Sequence, residues 1–151
     1  MSAYKQSKDS SFSKLTIKLG SDTIKLNMYQ ELKISEESLD PALQKQPVNY
    51  GFVAMVYQRV TEAVKLYKLE LEGFYSELYS KQEDKVINGK YQTKEAKENK
   101  VKTNPKYRIM QQKLIRLETQ KGILEDFKRA LEQKKDIMQT LSANRRKEFN
   151  Q

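Results

Sequence analysis

Residues 50–78 read YGFVAMVYQRVTEAVKLYKLELEGFYSEL, and within them Tyr50, Val53, Tyr57, Val60, Val64, Tyr67, Leu71, Phe74 and Leu78 follow one another at alternating intervals of three and four. A strand would alternate every second residue. A mean period of 3.5 sustained over four heptads is instead the mark of a helix lying at a shallow angle along another helix. Gly51 and Gly73 each cost about 1 kcal/mol of helix propensity, which packing over this length outweighs. Pro47 suits a first helical turn and biases the residue before it away from helix, so the expected span is about 48–81.

The partner lies downstream. Asn104-Pro105 combines a capping side chain with a proline at the first helical position. Met110, Leu117, Leu124, Leu131 and Met138 then recur every seven residues, with Leu114 extending the seam. From Ile123 the apolar face widens, with Ile123, Ala130 and Ile137 on one flank and Phe127 and Leu141 on the other. A second helix is expected over about 105–147. At 1.5 Å per residue the two helices measure roughly 50 and 65 Å. Joined by a connector at 82–104, they form an all-α, antiparallel, coiled-coil-like hairpin. One partner helix cannot cover so wide an apolar face, which predicts a homo-oligomer.

The segment KLTIKLGSDTIKLNM, 14–28, alternates apolar and polar residues around Gly-Ser-Asp as a β-hairpin would. Ile24, Met28 and Leu32 also fall at helical spacing, and a short helix near 23–33 is the favoured expectation. It is followed by SEESLDPALQKQP as extended chain. Residues 1–13, rich in Ser and Lys, are expected to be a disordered tail, leaving 14–151 as a single helical domain.

Composition restricts the function. The 151 residues carry a net charge of +9 and are 32% charged, and no apolar run approaches the roughly 18 residues of a membrane span. The N-terminal residues lack the apolar segment of a secretory signal. A soluble, cytoplasmic protein without membrane partners is expected. Cys, His and Trp are absent, which removes thiolate chemistry, the usual general base and the usual transition-metal ligands. The carboxylate pairs Glu70/Glu72, Glu83/Asp84 and Glu125/Asp126 sit among lysines and read as solvated faces. No glycine-rich phosphate loop occurs. No catalytic residue, metal site or cofactor is therefore expected.

The connector is the chemically distinctive segment. NGKYQTKEAKENKVKTNPKYR, 88–108, holds seven Lys or Arg against two Glu, with a tyrosine near each end. Phosphates attract lysine and arginine through counterion release, and bases of a single strand stack on aromatic rings. Lys90, Tyr91, Lys94, Lys97, Lys100, Lys102, Lys106, Tyr107 and Arg108 supply both groups. Arg145, Arg146 and Lys147 form a second cluster, which also complements a helix C-terminus. A solvated linker and a docking site for an acidic protein remain alternatives for the connector.

Several stretches carry a family resemblance. The pattern LxxALxxQPxxY from Leu39 to Tyr50, VxxxPxY from Val101 to Tyr107, and ALxxxKDxxxxLSANxRxE from Ala130 to Glu148 resemble phage recombination mediators of the UvsY type over about residues 31–149. Thr93-Lys94-Glu95 departs from the Thr-Glu expected there. The resemblance implies an all-α oligomer, with no catalytic site, that binds single-stranded DNA. It also implies that the oligomer helps a RecA-like recombinase load in place of single-strand-binding protein. Other classes remain: a structural or scaffold-like coiled-coil phage protein, or an inhibitor directed at a host nuclease. A DNA-mimicking inhibitor would be acidic, and this chain is basic.

Overall fold

The computed structural model describes residues 14–82, 86–87 and 89–149. In chain order the elements are β1 (Lys14–Leu19), β2 (Asp22–Asn27), α1 (Met28–Leu32), a 3₁₀ turn at Glu36–Ser38, α2 (Leu39–Ser80), β3 (Val86–Ile87), β4 (Lys90–Tyr91), α3 (Lys94–Thr103) and α4 (Pro105–Phe149). The molecule is mostly helical, and α2 packs against α4. Two compact units are distinguishable, one built from residues up to Arg59 together with those from Gln120 onward, the other from Val60–Thr119. The tail expected at 1–13 lies outside the described residues.

In the first unit the N-terminal segment corrects the expected helix at 23–33. β1 and β2 pair antiparallel, Lys14 opposite Asn27 and Ile17 opposite Ile24. Gly20 takes the positive φ of 61° that a two-residue hairpin turn requires. The strand alternation prevails because it can be buried: Leu15, Ile17 and Leu26 join the core while Lys14, Thr16 and Lys18 face solvent. Helical spacing survives only as α1, which buries no residue. Asn27 starts α1 by accepting a hydrogen bond from the Gln30 amide at 3.3 Å.

α2 begins at Leu39, nine residues before the expected start, so most of the segment expected to be extended is helical and Pro47 lies inside the helix. A proline there has no N–H to give the carbonyl of Leu43 and costs about 3 kcal/mol. Side-chain bonds to α4 on either side of the gap offset this. Gln46, buried, donates from Nε2 to the Leu131 carbonyl at 2.6 Å, and the Tyr50 hydroxyl donates to Glu132 Oε1 at 2.7 Å. Between them lies a groove of about 420 Å³ lined by Leu43, Gln46, Pro47, Tyr50, Glu132, Lys135 and Gln139.

Two further bonds hold α1 on the helices. Asn49 Nδ2 donates to Glu31 Oε2 at 2.8 Å, and Lys134 Nζ donates to the Glu31 carbonyl at 2.5 Å. The hairpin is fixed by Arg59 to Asp22 at 2.8 Å and by Gln120 Nε2 to the Thr16 carbonyl at 3.2 Å. Leu39, Val53, Val56, Leu124, Phe127, Leu131 and Met138 complete the buried apolar set of this unit among the described residues.

In the second unit Val60, Val64 and Leu71 of α2 are buried, and Lys68 pairs with Glu118 of α4 at 2.7 Å. The connector is more ordered than a plain linker: β3 and β4 form a two-residue-per-strand hairpin, and α3 adds ten helical residues. Of the stripe expected on α2, Val53, Val60, Val64 and Leu71 are buried, Val56 beside it is buried as well, and the tyrosines of the stripe are only half-buried; α4 ends at Phe149.

Two outcomes test this account. Pro47→Ala restores the missing amide, and urea unfolding should show a gain of about 1–3 kcal/mol. Burial holds the pKa of Lys134 below its ordinary 10.5, against the opposing pull of Glu31. Between the lowered folded pKa and 10.5 the unfolded chain binds the additional proton, so this residue's contribution to stability rises with pH across that window. The stability of wild type relative to Lys134→Met should therefore be flat near neutrality and climb above it; parallel curves would count against a buried ammonium.

Candidate nucleic-acid interface

The basic connector is organised around one buried residue. α3 starts at Thr93, whose Oγ1 accepts from the Ala96 amide at 3.2 Å, as an N-cap does. It ends at Asn104, extended at φ −61° and ψ 125°. Asn104 Oδ1 then accepts from the Tyr107 amide at 3.1 Å and so caps α4. One residue thus closes one helix and opens the next, and Pro105 needs no amide at that position. α3 buries only Val101, which clusters with Leu71 and Tyr107 beneath Phe74, Tyr75, Leu78, Tyr79, Met110 and Leu114.

This arrangement sorts the residues that the sequence singles out. Lys94, Lys97 and Lys100 follow at i, i+3 along α3 and form a gently drifting row on its surface. Lys94 and Lys100 are exposed, and Lys97 is half-buried with its ammonium 5.9 Å from the Tyr79 ring centre. Lys102, two residues past Lys100, leaves the helix on another side. Its carbonyl accepts from Arg108 Nε at 3.2 Å, so Arg108 also serves the end of α3. Lys90 and Tyr91 are exposed on β4.

Tyr107 is in the core, 8% exposed, and its hydroxyl accepts from Gln111 at 3.2 Å. Its ring is thus a support for α3 rather than an open stacking surface. Tyr75 and Tyr79 stack with centres 6.2 Å apart, and Tyr75 meets Tyr107 at 5.8 Å. Burial, then Glu98, raise the Tyr75 phenol above its usual pKa. Arg145, Arg146 and Lys147 belong to the other unit, in and just before the last turn of α4, where Arg146 Nε donates to the Ser142 carbonyl at 3.4 Å.

A second set of basic and aromatic groups lies along the long helices, and of its lysines only Lys106 was singled out from the sequence. In the unit containing Val60–Thr119, Lys106 of α4 lies 4.9 Å from the ring centre of Phe74, and Lys113 lies 4.8 Å from Tyr67. In the other unit Lys121 lies 5.9 Å from Tyr57, and Lys128 lies 5.8 Å from Tyr50 and 4.8 Å from Tyr57. Tyr50, Tyr57 and Tyr67 are only half-buried, so they flank the seam instead of filling it. The signal in the sequence was the near-heptad recurrence of lysine at 106, 113, 121 and 128.

Among the described residues no group of three or more His, Cys, Asp or Glu is placed to hold a metal ion, and no helix is long and apolar enough to cross a membrane. Comparison with known proteins returned no match to a family model, to a curated protein or to a solved structure.

Since Val101 is the only buried side chain of α3, Val101→Ala should lower stability by about 2 kcal/mol. Amide exchange should accelerate more over 94–103 than over the α4 residues beyond 120. Uniform acceleration would mean that α3 is not separately anchored.

Proposed function

We propose that the protein binds single-stranded DNA without sequence preference and acts as a recombination mediator of the UvsY type. In this reading it works as a homo-oligomer in the cytoplasm and helps a RecA-like recombinase load in place of single-strand-binding protein. The observation that carries the reading is the repeated pairing of a lysine with an aromatic ring along α2 and α4, in both units. The lysine row of α3 adds to it.

The energetics favour exchange at such pairs. A lysine over an exposed ring gains about 0.5–1 kcal/mol, whereas a base stacked on a ring gains about 1–3 kcal/mol. An arriving base displaces the ammonium from the ring face, and the freed ammonium stays close enough to meet a phosphate. Nothing in such a pair distinguishes one base from another, which fits binding without sequence preference. Several protomers on one strand multiply weak individual contacts through effective concentration.

The test is a titration with single-stranded DNA at several salt concentrations. Each engaged phosphate contributes about −0.7 to the slope of log affinity against log salt. Lys94, Lys97, Lys100 and Lys102→Gln together should reduce the slope by up to about 3 per protomer while leaving helicity intact. The same variant should slow recombinase loading on strands coated with single-strand-binding protein more than on bare strands. A slope near zero for the wild type, or binding confined to duplex DNA, would reject the reading and favour a scaffold-like coiled-coil protein.

A further inference from the structure

α2 breaks a helix rule at Pro47, and the break lies in the lining of a groove. That groove, between Leu43, Pro47 and Tyr50 of α2 and Glu132 and Lys135 of α4, measures about 420 Å³. All of it lies within the unit built from residues up to Arg59 and from Gln120 onward. A proline has no N–H, so the Leu43 carbonyl lacks the amide that a helix would offer it from residue 47. Gln46, 4% exposed, lines the same groove. Its Nε2 is held by the Leu131 carbonyl, whereas its Oε1 has no hydrogen-bond partner. Two acceptors short of a donor thus belong to residues that line one groove. Buried polar groups are ordinarily paired, and local departures of this kind collect where a ligand is held.

We propose that this groove takes one amine-bearing base of a single strand, its exocyclic amine meeting the two acceptors and its ring lying against Tyr50. The amine of cytosine, adenine or guanine carries two N–H groups, one for the Leu43 carbonyl and one for Gln46 Oε1. Oε1 is covered by its neighbours, so the Gln46 amide turns about χ3 to meet the amine. The Tyr50 ring is half-buried, and the bond from its hydroxyl to Glu132 Oε1 at 2.7 Å holds it in place. A ring already fixed gives a base a surface to stack on.

Charge decides between a base and a cation. Acceptors beside an aromatic ring would also suit an ammonium or a guanidinium ion. Lys135 lines the groove, however, and Lys128 lies 5.8 Å from the Tyr50 ring centre. Both repel a cation and attract the phosphate that is joined to a base. Thymine and uracil carry a carbonyl where cytosine carries its amine, and would turn an acceptor toward acceptors. The groove therefore adds one position per protomer at which amine-bearing bases are preferred, on top of binding that is otherwise indifferent to sequence. This inference rests on the reading of the protein as a single-strand binder.

The experiment is a titration of the full chain, above neutral pH, with two strands of equal length, one of deoxycytidine and one of deoxyuridine. Their bases differ only in bearing that amine or a carbonyl. Wild type should bind the deoxycytidine strand at least about fivefold more tightly. Pro47→Ala returns an amide to the Leu43 carbonyl and should lower this ratio at least about twofold. Since the same variant should unfold less readily, a lost preference is not a lost fold. Lys135→Gln should weaken both strands alike. In heteronuclear NMR spectra the Gln46 side-chain amide should shift more with the deoxycytidine strand than with the deoxyuridine strand. Equal affinity for the two strands, or a ratio that Pro47→Ala leaves unchanged, overturns this inference alone. Binding of neither strand overturns it together with the reading on which it rests.

Discussion

The antiparallel register between α2 and α4 is the constraint on which the remaining structure depends. Within each unit the pairings run antiparallel: Gln46 with Leu131 and Tyr57 with Lys121 in one, Tyr67 with Lys113 and Phe74 with Lys106 in the other. As the number rises along one helix it falls along the other. Apolar burial supplies most of the driving force but tolerates a slip of one heptad, since valines and leucines interchange along such a seam. The polar contacts at the edge do not tolerate it. A slip of one heptad would bring Phe127 or Leu141 to the place of Lys134, and neither can donate to the Glu31 carbonyl.

Periodicity made the two long helices legible, because a 3.5-residue repeat over four or more heptads has no competing interpretation. The start of α2 was not legible. Pro47 is a helix-starting residue by local chemistry, and only the bonds from Gln46 and Tyr50 to α4 let it sit in the interior. The N-terminal segment held two patterns at once, and Leu15 and Ile17 decided between them by being buried in alternation. That decision is made by tertiary packing, which neither pattern contains. α3 escaped notice because a ten-residue helix with one buried side chain carries no periodic signal, although Thr93 and Asn104 bracket it with capping chemistry.

The candidate site shows the same division. Lys94, Lys97 and Lys100 could be named from the charge run alone, whereas their arrangement as a row required α3. Tyr107 was attractive by composition and is in fact enclosed with Leu71 and Val101. The lysines over Phe74, Tyr67, Tyr57 and Tyr50 were individually visible as residues flanking the seam of α4. Their partners were not, because one sequence fixes which face of a helix is apolar but not how far that helix is displaced along its neighbour.

The N-terminal hairpin has a kinetic consequence. Two strands alone are at best marginally stable in water, and this pair is held by partners distant in the chain: the bond from Gln120 to the Thr16 carbonyl joins residues 104 apart. The long helices can nucleate on local contacts, whereas the hairpin must wait for a surface that only the docked helices provide, with the loop-closure entropy between them already lost. It therefore belongs to the late side of the folding transition. Shortening Ile17 should hasten unfolding far more than it slows folding, which makes this small sheet a control on how long the folded chain survives rather than on how fast it forms.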